Sequence, residues 1–143
     1  MKDFMKEALK EAQKAKQENE IPIGAIIVID DKIVSRGHNK REKSQNALHH
    51  AEIIAIDKAC KKLKSWRLEN AIMYVTLEPC PMCAGAIANA RIKKVVYGAK
   101  DKSSTDNLCE TILSSTRLNH KVETLYQETP ACAQILTDFF RKR

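Results

Sequence analysis

Two short segments of the chain carry side chains that bind metal ions. Residues 50–52 read His-Ala-Glu and residues 79–83 read Pro-Cys-Pro-Met-Cys, with residues 53–78 between them. A Cys-x-x-Cys pair at the start of a helix places both sulfurs on one side, about 60° apart around the axis. The helix N-terminus favours thiolates, which are the form that binds zinc. A fold that uses both segments for one metal must bring them to one point.

The residue types in these segments point to catalysis by zinc. His50, Cys80 and Cys83 supply three ligands, and a catalytic zinc keeps its fourth position for water. Zinc lowers the pKa of that water to about 7, which makes a nucleophile available at neutral pH. Glu52 is two residues from a ligand and is the candidate that moves protons from the water to a leaving amine. This combination of motifs is the one found in zinc-dependent nucleobase deaminases.

Other interpretations of the same residues exist. A structural zinc in a nucleic-acid-binding module needs a fourth ligand, which Cys60, Cys109 or Cys132 could supply, although none of them lies in a paired motif. His49 competes with His50 as a ligand but lies outside the His-x-Glu spacing. A redox Cys-x-x-Cys prefers a thioredoxin-like context, which the sequence lacks.

Composition limits the class of protein and its partners. The 143 residues fit one domain, residues 1–143, and 43% hydrophobic residues suffice for a core. The net charge of +7 permits a polyanionic partner such as nucleic acid. Five cysteines, an odd number, argue against a disulfide framework. We find no apolar run of membrane-spanning length and no signal peptide, so we expect a cytoplasmic protein without a membrane partner.

Hydrophobic periodicity predicts alternating helices and strands, which favours a central sheet with helices on its faces. Pro81 suits a first helical position, and Asp30-Asp31 suits a hairpin turn. The predicted helices cover residues 2–19, 50–63, 82–90, 108–113 and 130–140. The predicted strands cover residues 23–29, 32–36, 72–77, 94–98 and 121–126. Residues 37–48 and 101–107 are predicted to be polar loops.

Nearly the whole chain resembles the bacterial tRNA-specific adenosine deaminases, which convert the wobble adenosine of an anticodon to inosine. The segments that carry this resemblance are residues 20–25, 50–53, 74–86, 91–98, 119–120 and 138–141. The resemblance implies a cytidine-deaminase-like three-layer α/β/α sandwich with a central mixed sheet. It also implies one Zn²⁺ per subunit, a homodimer whose active sites draw on both chains, and the tRNA anticodon loop as partner. A deaminase of a free nucleobase or nucleoside (cytosine, guanine or cytidine type) is the alternative.

The resemblance matches His50, Cys80 and Cys83 to the zinc ligands and Glu52 to the proton shuttle. It also implies a set of substrate contacts, namely Asn39, Ala51, Asp101, Phe139, Phe140 and Arg141. Asn39 matches an asparagine that hydrogen-bonds the target base, although without the resemblance it would be an ordinary turn residue.

The remaining substrate contacts concern the RNA. Phe139 and Phe140 match aromatic residues near the anticodon loop. Neighbouring helical residues point about 100° apart, so we expect one ring in the core and one exposed for stacking on bases. Asp101 matches an acidic residue near the RNA path. The family usually has a glycine-containing loop after the strand at residues 94–98, whereas residues 100–110 contain no glycine.

Overall fold

A computed structural model describes residues 2–102 and 106–142. Within those ranges the helices are α1 (Phe4–Gln17), α2 (Arg41–Ser44), α3 (Ala51–Leu63), α4 (Pro81–Asn89), α5 (Leu108–Leu113) and α6 (Pro130–Arg141). The strands are β1 (Gly24–Ile29), β2 (Lys32–His38), β3 (Ile72–Val75), β4 (Lys94–Tyr97) and β5 (Glu123–Tyr126). In the same ranges no helix is both long and apolar enough to cross a membrane.

The five strands form one mixed sheet in the order β2-β1-β3-β4-β5. β1 pairs antiparallel with both β2 and β3, while β3, β4 and β5 run parallel. Asp30 and Asp31 join β1 to β2 with φ angles of 51° and 60°. Two consecutive positive φ angles are typical of the tight hairpin turn whose twist matches that of the flanking strands. The predicted hairpin and mixed sheet are confirmed.

Helices cover both faces of the sheet, which confirms the predicted three-layer sandwich. On one face α3, α4 and α5 pack over a core that includes Ala55, Met73 and Ile87. On the other face α1 and α6 pack over a second core that includes Met5 and Ile26. β1 contributes to both cores because its successive side chains point to opposite faces.

Two glycines let helices approach the sheet closely. A Cβ at Gly24 would collide with the backbone of α1 at Ala8 and Ala12. A Cβ at Gly37 would lie 2.5 Å from the carbonyl oxygen of Ala51, at the first turn of α3. The close approach at Gly37 fixes the N-terminal end of α3 against β2.

The structure corrects one predicted segment. Residues 37–48 do not form a continuous loop, because β2 extends to His38 and α2 covers Arg41–Ser44. A four-residue helix is too short to show apolar periodicity, so the sequence pattern misses it. Part of the second predicted loop, residues 103–105, lies outside the described residues.

Candidate active site

Two helix N-termini meet at the carboxyl-end side of β3. His50 is the N-cap residue of α3 and Cys80 is the N-cap residue of α4, with Pro81 as the first helical residue after it. Cys83 lies in the first turn of α4, so Cys80 and Cys83 share one side of the helix start. The partial positive charge at both N-termini favours thiolate sulfur.

The three predicted ligands form one cluster. The Nδ1 atom of His50 lies 3.7 Å from Sγ of Cys80 and 3.6 Å from Sγ of Cys83. All three ligand atoms lie within 4.8 Å of one another. A tetrahedral zinc with its usual bond lengths to sulfur and nitrogen separates such atoms by about 3.6 Å. The donor set and its spacing therefore fit a zinc ion with His50 bound through Nδ1.

Glu52 is buried beside this cluster. It lies in the first turn of α3, two residues after His50, and is 4% exposed. Burial raises the pKa of Glu52 to about 7. A buried acidic group in the helical turn that directly follows a candidate ligand is in position to exchange protons with a molecule bound at the cluster.

The two sulfurs differ in their protonation. Hydrogen bonds from Cys83 and His50 lower the pKa of Cys80 to about 4. The pKa of Cys83 is raised, because its thiol donates to the Cys80 sulfur and is desolvated by burial. The contact with Cys80 also raises the pKa of His50. The arrangement thus provides a thiolate at Cys80 before any metal binds.

The alternative ligands lie elsewhere. His49 places its Nε2 atom 3.2 Å from Nδ2 of Asn46 and is not part of the cluster. Cys60, Cys109 and Cys132 are free thiols that do not belong to it either. Burial raises the pKa of Cys109 to about 12, so it is a poor source of thiolate. The cluster found among the described residues thus has the three-ligand composition of an open catalytic site.

Asn39 lies directly after β2 and is 5% exposed. Its Nδ2 group donates to the carbonyl oxygen of Ile21 at 3.3 Å, and its Oδ1 atom accepts from the amide of Arg41 at 3.1 Å. An amide side chain has two donor hydrogens and two acceptor lone pairs. These two contacts use one donor hydrogen and one acceptor lone pair of the Asn39 side chain.

Ala51 lies between His50 and Glu52 and is fully buried. It is the first residue of α3, and the backbone N–H at that position has no acceptor within the helix. That amide is the group through which Ala51 would contact a substrate.

Three of the four remaining predicted contacts line a cavity of ≈ 750 Å³ between α6 and the segment that follows β4. Asp101, Phe140 and Arg141 line it, together with Ile21 and Leu77. Of the other lining residues, Ile21 accepts a hydrogen bond from Asn39, and Leu77 is three residues before Cys80 in the sequence. Three of the predicted RNA-contact residues thus share one surface.

Phe139 and Phe140 divide between core and surface, as predicted. Phe139 is 5% exposed and Phe140 is 52% exposed. Their rings meet edge to face with centroids 5.4 Å apart. The buried ring therefore supports the exposed one.

Sequence analysis missed two buried carboxylates near the site. Glu20 is 1% exposed and accepts hydrogen bonds from the amides of Glu42 and Lys43. Glu78 is 9% exposed and accepts from the amide of Asp101 at 3.1 Å. Both lie within segments that carry the family resemblance, but their burial depends on contacts with distant parts of the chain.

A mixed sheet that presents a His-Cys-Cys cluster with a buried glutamate beside it defines the class of zinc-dependent deaminases. The model of the MafB19-like deaminase family matches residues 1–143. The chain belongs to this family and, within it, to the group of the tRNA-specific adenosine deaminases. The resemblance found in the sequence is thereby confirmed.

Two relatives carry that assignment. The chain is 49% identical to the tRNA-specific adenosine deaminase of Bacillus subtilis (strain 168), over 97% of this chain and 88% of the relative. It is 41% identical to the tRNA-specific adenosine deaminase of Aquifex aeolicus (strain VF5), over 97% of this chain and 93% of the relative.

Two solved deaminase structures are similar to the chain over most of its length. One from a study of A-to-I editing by tRNA:A34 deaminases at the wobble position of transfer RNA has a TM-score of 0.86 and 38% identity, and the match covers 93% of this chain and 98% of that one. The guanine deaminase of Bacillus subtilis has a TM-score of 0.67 and 33% identity, with 98% of this chain and 92% of that one covered.

Proposed function

We propose that the chain hydrolyses the exocyclic amine of adenosine at the wobble position of a tRNA anticodon, which yields inosine and ammonia. The observation that carries the proposal is the buried Glu52 carboxyl group in the first turn of α3, two residues after His50 of the three-ligand cluster. The likeness to tRNA-specific adenosine deaminases over 97% of the chain supports adenosine in tRNA as the substrate. We take residues 1–143 as one catalytic domain, since α1 and α6 pack together on the same face of the sheet.

His50, Cys80 and Cys83 would hold one zinc ion per chain. Their spacing matches the edges of a tetrahedral site, and two sulfurs with one nitrogen are a donor set that suits zinc. When bound, zinc supplies Lewis-acid activation of water near neutral pH.

Glu52 moves the protons of the reaction. Water adds to C6 of adenine, the bond between C6 and the exocyclic nitrogen then breaks, and ammonia leaves. Glu52 takes one proton from the water and delivers it to the ring nitrogen beside C6. It then takes the second proton from the new hydroxyl on C6 and delivers it to the departing amine, which leaves the C6 carbonyl of inosine. Its burial in the first turn of α3, two residues after His50, would keep it beside the reacting atoms throughout.

Asn39 and Ala51 would orient the base. Asn39 keeps one donor and one acceptor after its contacts with Ile21 and Arg41, and that pair is complementary to the edge of a purine. The amide of Ala51, between the ligand and the proton shuttle, would add one donor.

The cavity beside α6 would receive the neighbouring nucleotides of the anticodon loop. Phe140 offers an exposed ring on which an unpaired base can stack. Lys100, Lys102 and Arg141 line the same cavity and bring positive charge to the phosphates. Phe139 contributes by holding the Phe140 ring, and Asp101 lies on the cavity wall.

We further propose a homodimer whose second chain completes the RNA surface, and a cytoplasmic location. The family resemblance supports the dimer. A tRNA substrate and five free cysteines support the cytoplasm, because a reducing compartment keeps thiols free.

A parallel assay of four substrates tests the proposal. The zinc-loaded protein is incubated separately with tRNA, adenosine, cytosine and guanine, and both inosine and ammonia are measured. We expect inosine in tRNA with an equal amount of ammonia. Guanine is the most informative alternative substrate, because the chain is also similar to a guanine deaminase. Ammonia from a free base without inosine in tRNA would contradict the proposal.

A further inference from the structure

Glu20 is a buried carboxylate in the segment between α1 and β1. It is 1% exposed, its Oε1 atom accepts from the amide of Glu42 at 3.1 Å, and its Oε2 atom accepts from the amide of Lys43 at 2.7 Å. Burying a carboxylate is costly unless its oxygens are hydrogen-bonded. Both oxygens here bind backbone amides of a helix that lies 22 residues further along the chain.

These two amides belong to the first turn of α2. A helix leaves its first N–H groups without an internal acceptor, and no side chain at the N-cap position of α2 supplies one. A helix of four residues is not stable by itself. Glu20 therefore caps α2 from outside and ties it to the segment between α1 and β1.

Asn39 lies between the segment that contains Glu20 and helix α2, and it is hydrogen-bonded to both. Its backbone amide donates to the carbonyl oxygen of Ile23 at 3.1 Å, and its Nδ2 group donates to that of Ile21 at 3.3 Å. On the other side, its Oδ1 atom accepts from the amide of Arg41, the first residue of α2. A shift of α2 relative to Glu20 would rotate the Asn39 side chain.

We propose that Glu20 is a positioning residue that, by clamping α2, orients the Asn39 amide toward the base to be deaminated. The inference rests on the proposed function, since Asn39 needs a fixed orientation only if a nucleobase binds there. Glu20 acts through Asn39 and touches neither the metal cluster nor the base.

A double-mutant cycle tests this role. Glu20→Gln replaces one acceptor oxygen with an NH₂ group. That donor would face one of the two backbone N–H donors, so one hydrogen bond of the clamp is lost. We expect kcat/KM for tRNA to fall about 10- to 100-fold, because small misplacements of a binding group cost that much. Zinc content should stay at that of the wild type. In the Asn39→Ala background, Glu20→Gln should cost little more, since coupled residues are not additive.

The matched control is Glu42→Gln, which changes an exposed carboxylate on α2 and should leave kcat/KM unchanged. Multiplicative losses in the double variant, or wild-type kcat/KM in Glu20→Gln, would overturn the proposal. A wild-type protein that leaves tRNA unmodified would instead overturn the proposed function itself, and the role of Glu20 with it.

Hydrogen exchange on the wild-type protein tests the clamp without any variant. The amides of Glu42 and Lys43 should exchange slowly, because Glu20 supplies their acceptors. Exchange of both amides at the rate of an unstructured peptide would overturn the proposal, even if Glu20→Gln failed to fold.

Discussion

The Nδ1 atom of His50 lies 3.6 Å from the sulfur of Cys83, although 33 residues separate them in the sequence. Each residue lies at the N-terminal end of a different helix, and the two helices pack against each other on one face of the sheet. A metal bound there would join α3 to α4, so metal binding and folding are coupled.

We therefore expect Cys83→Ser to lose zinc and to unfold at a lower temperature than the wild type. The zinc content of the purified protein and its thermal unfolding midpoint check this together. Cys60→Ser is the control, since Cys60 is a free thiol outside the cluster and its replacement should leave the zinc content unchanged. Equal zinc content in Cys83→Ser and the wild type would contradict the ligand assignment.

Glu52→Gln should separate proton transfer from metal binding. The amide is nearly isosteric but cannot shuttle protons, so we expect inosine formation to fall by about 10²- to 10⁴-fold. Zinc should remain bound, because Glu52 is not a ligand. Glu123→Gln, on the exposed face of β5, serves as the control and should keep full activity. Near-normal turnover in Glu52→Gln would show that another group moves the proton.

The two neighbouring phenylalanines of α6 should respond in opposite ways to alanine. Phe140→Ala removes an exposed ring and should weaken binding of the anticodon loop by about 1–3 kcal/mol, with little loss of stability. Phe139→Ala removes a buried ring and should cost about 3–5 kcal/mol of unfolding free energy. RNA titration and denaturant unfolding measure the two effects. A wild-type affinity for RNA in Phe140→Ala would contradict the stacking role.

This pair also shows how far the sequence predicts the site. The Phe139-Phe140 dipeptide at helical spacing predicts one buried and one exposed ring, and the His-x-Glu and Cys-x-x-Cys motifs predict the metal cluster. Such predictions succeed because the spacing along one helix, or a known donor set, fixes the geometry locally.

Truncation after Asp138 tests the RNA surface less well than Phe140→Ala, because it also removes the buried Phe139.

The rest of the site depends on contacts between distant segments. α2 has no apolar periodicity and no side-chain cap from its N-cap residue, and two of its amides bind the distant Glu20. The order of the strands depends on pairing between distant segments, antiparallel between β1 and β3 and parallel from β3 to β4 and β5, which leaves no local trace in the sequence. Gly37 is an unremarkable residue in the sequence, yet it sets the approach of α3 to β2.

Binding of tRNA should weaken steeply with salt, and the cavity lysines should account for part of that slope. Each phosphate contact removed lowers the slope of log K against log[salt] by about 1. We expect this decrease for Lys102→Ala, which lines the cavity. Lys61→Ala, near the far end of α3, should leave the slope unchanged. Equal slopes for wild type and Lys102→Ala would exclude Lys102 from the RNA surface.

Lowering the pH should destabilise the folded protein, because the Glu11 carboxylate of α1 then becomes protonated and loses its hydrogen-bonded ion pairs. Burial opposes ionisation of Glu11, but hydrogen bonds from His38 and Lys14 outweigh it and lower its pKa from 4.5 to about 2. A lowered pKa in the folded state adds stability that is present above pH 4.5 and is lost as pH falls toward 2. The thermal midpoint should therefore drop across that window, and less steeply in Glu11→Gln. Identical pH profiles for the two proteins would contradict the prediction.

The position of the product base tests the central claim most directly. The zinc-loaded protein is incubated with a tRNA that has adenosine at the wobble position, and with the same tRNA carrying guanosine there, and inosine is located by sequencing. The account predicts inosine at the wobble position of the first tRNA, one ammonia released per tRNA converted, and no product from the second. Inosine at other positions of both tRNAs, or none in either, would contradict it.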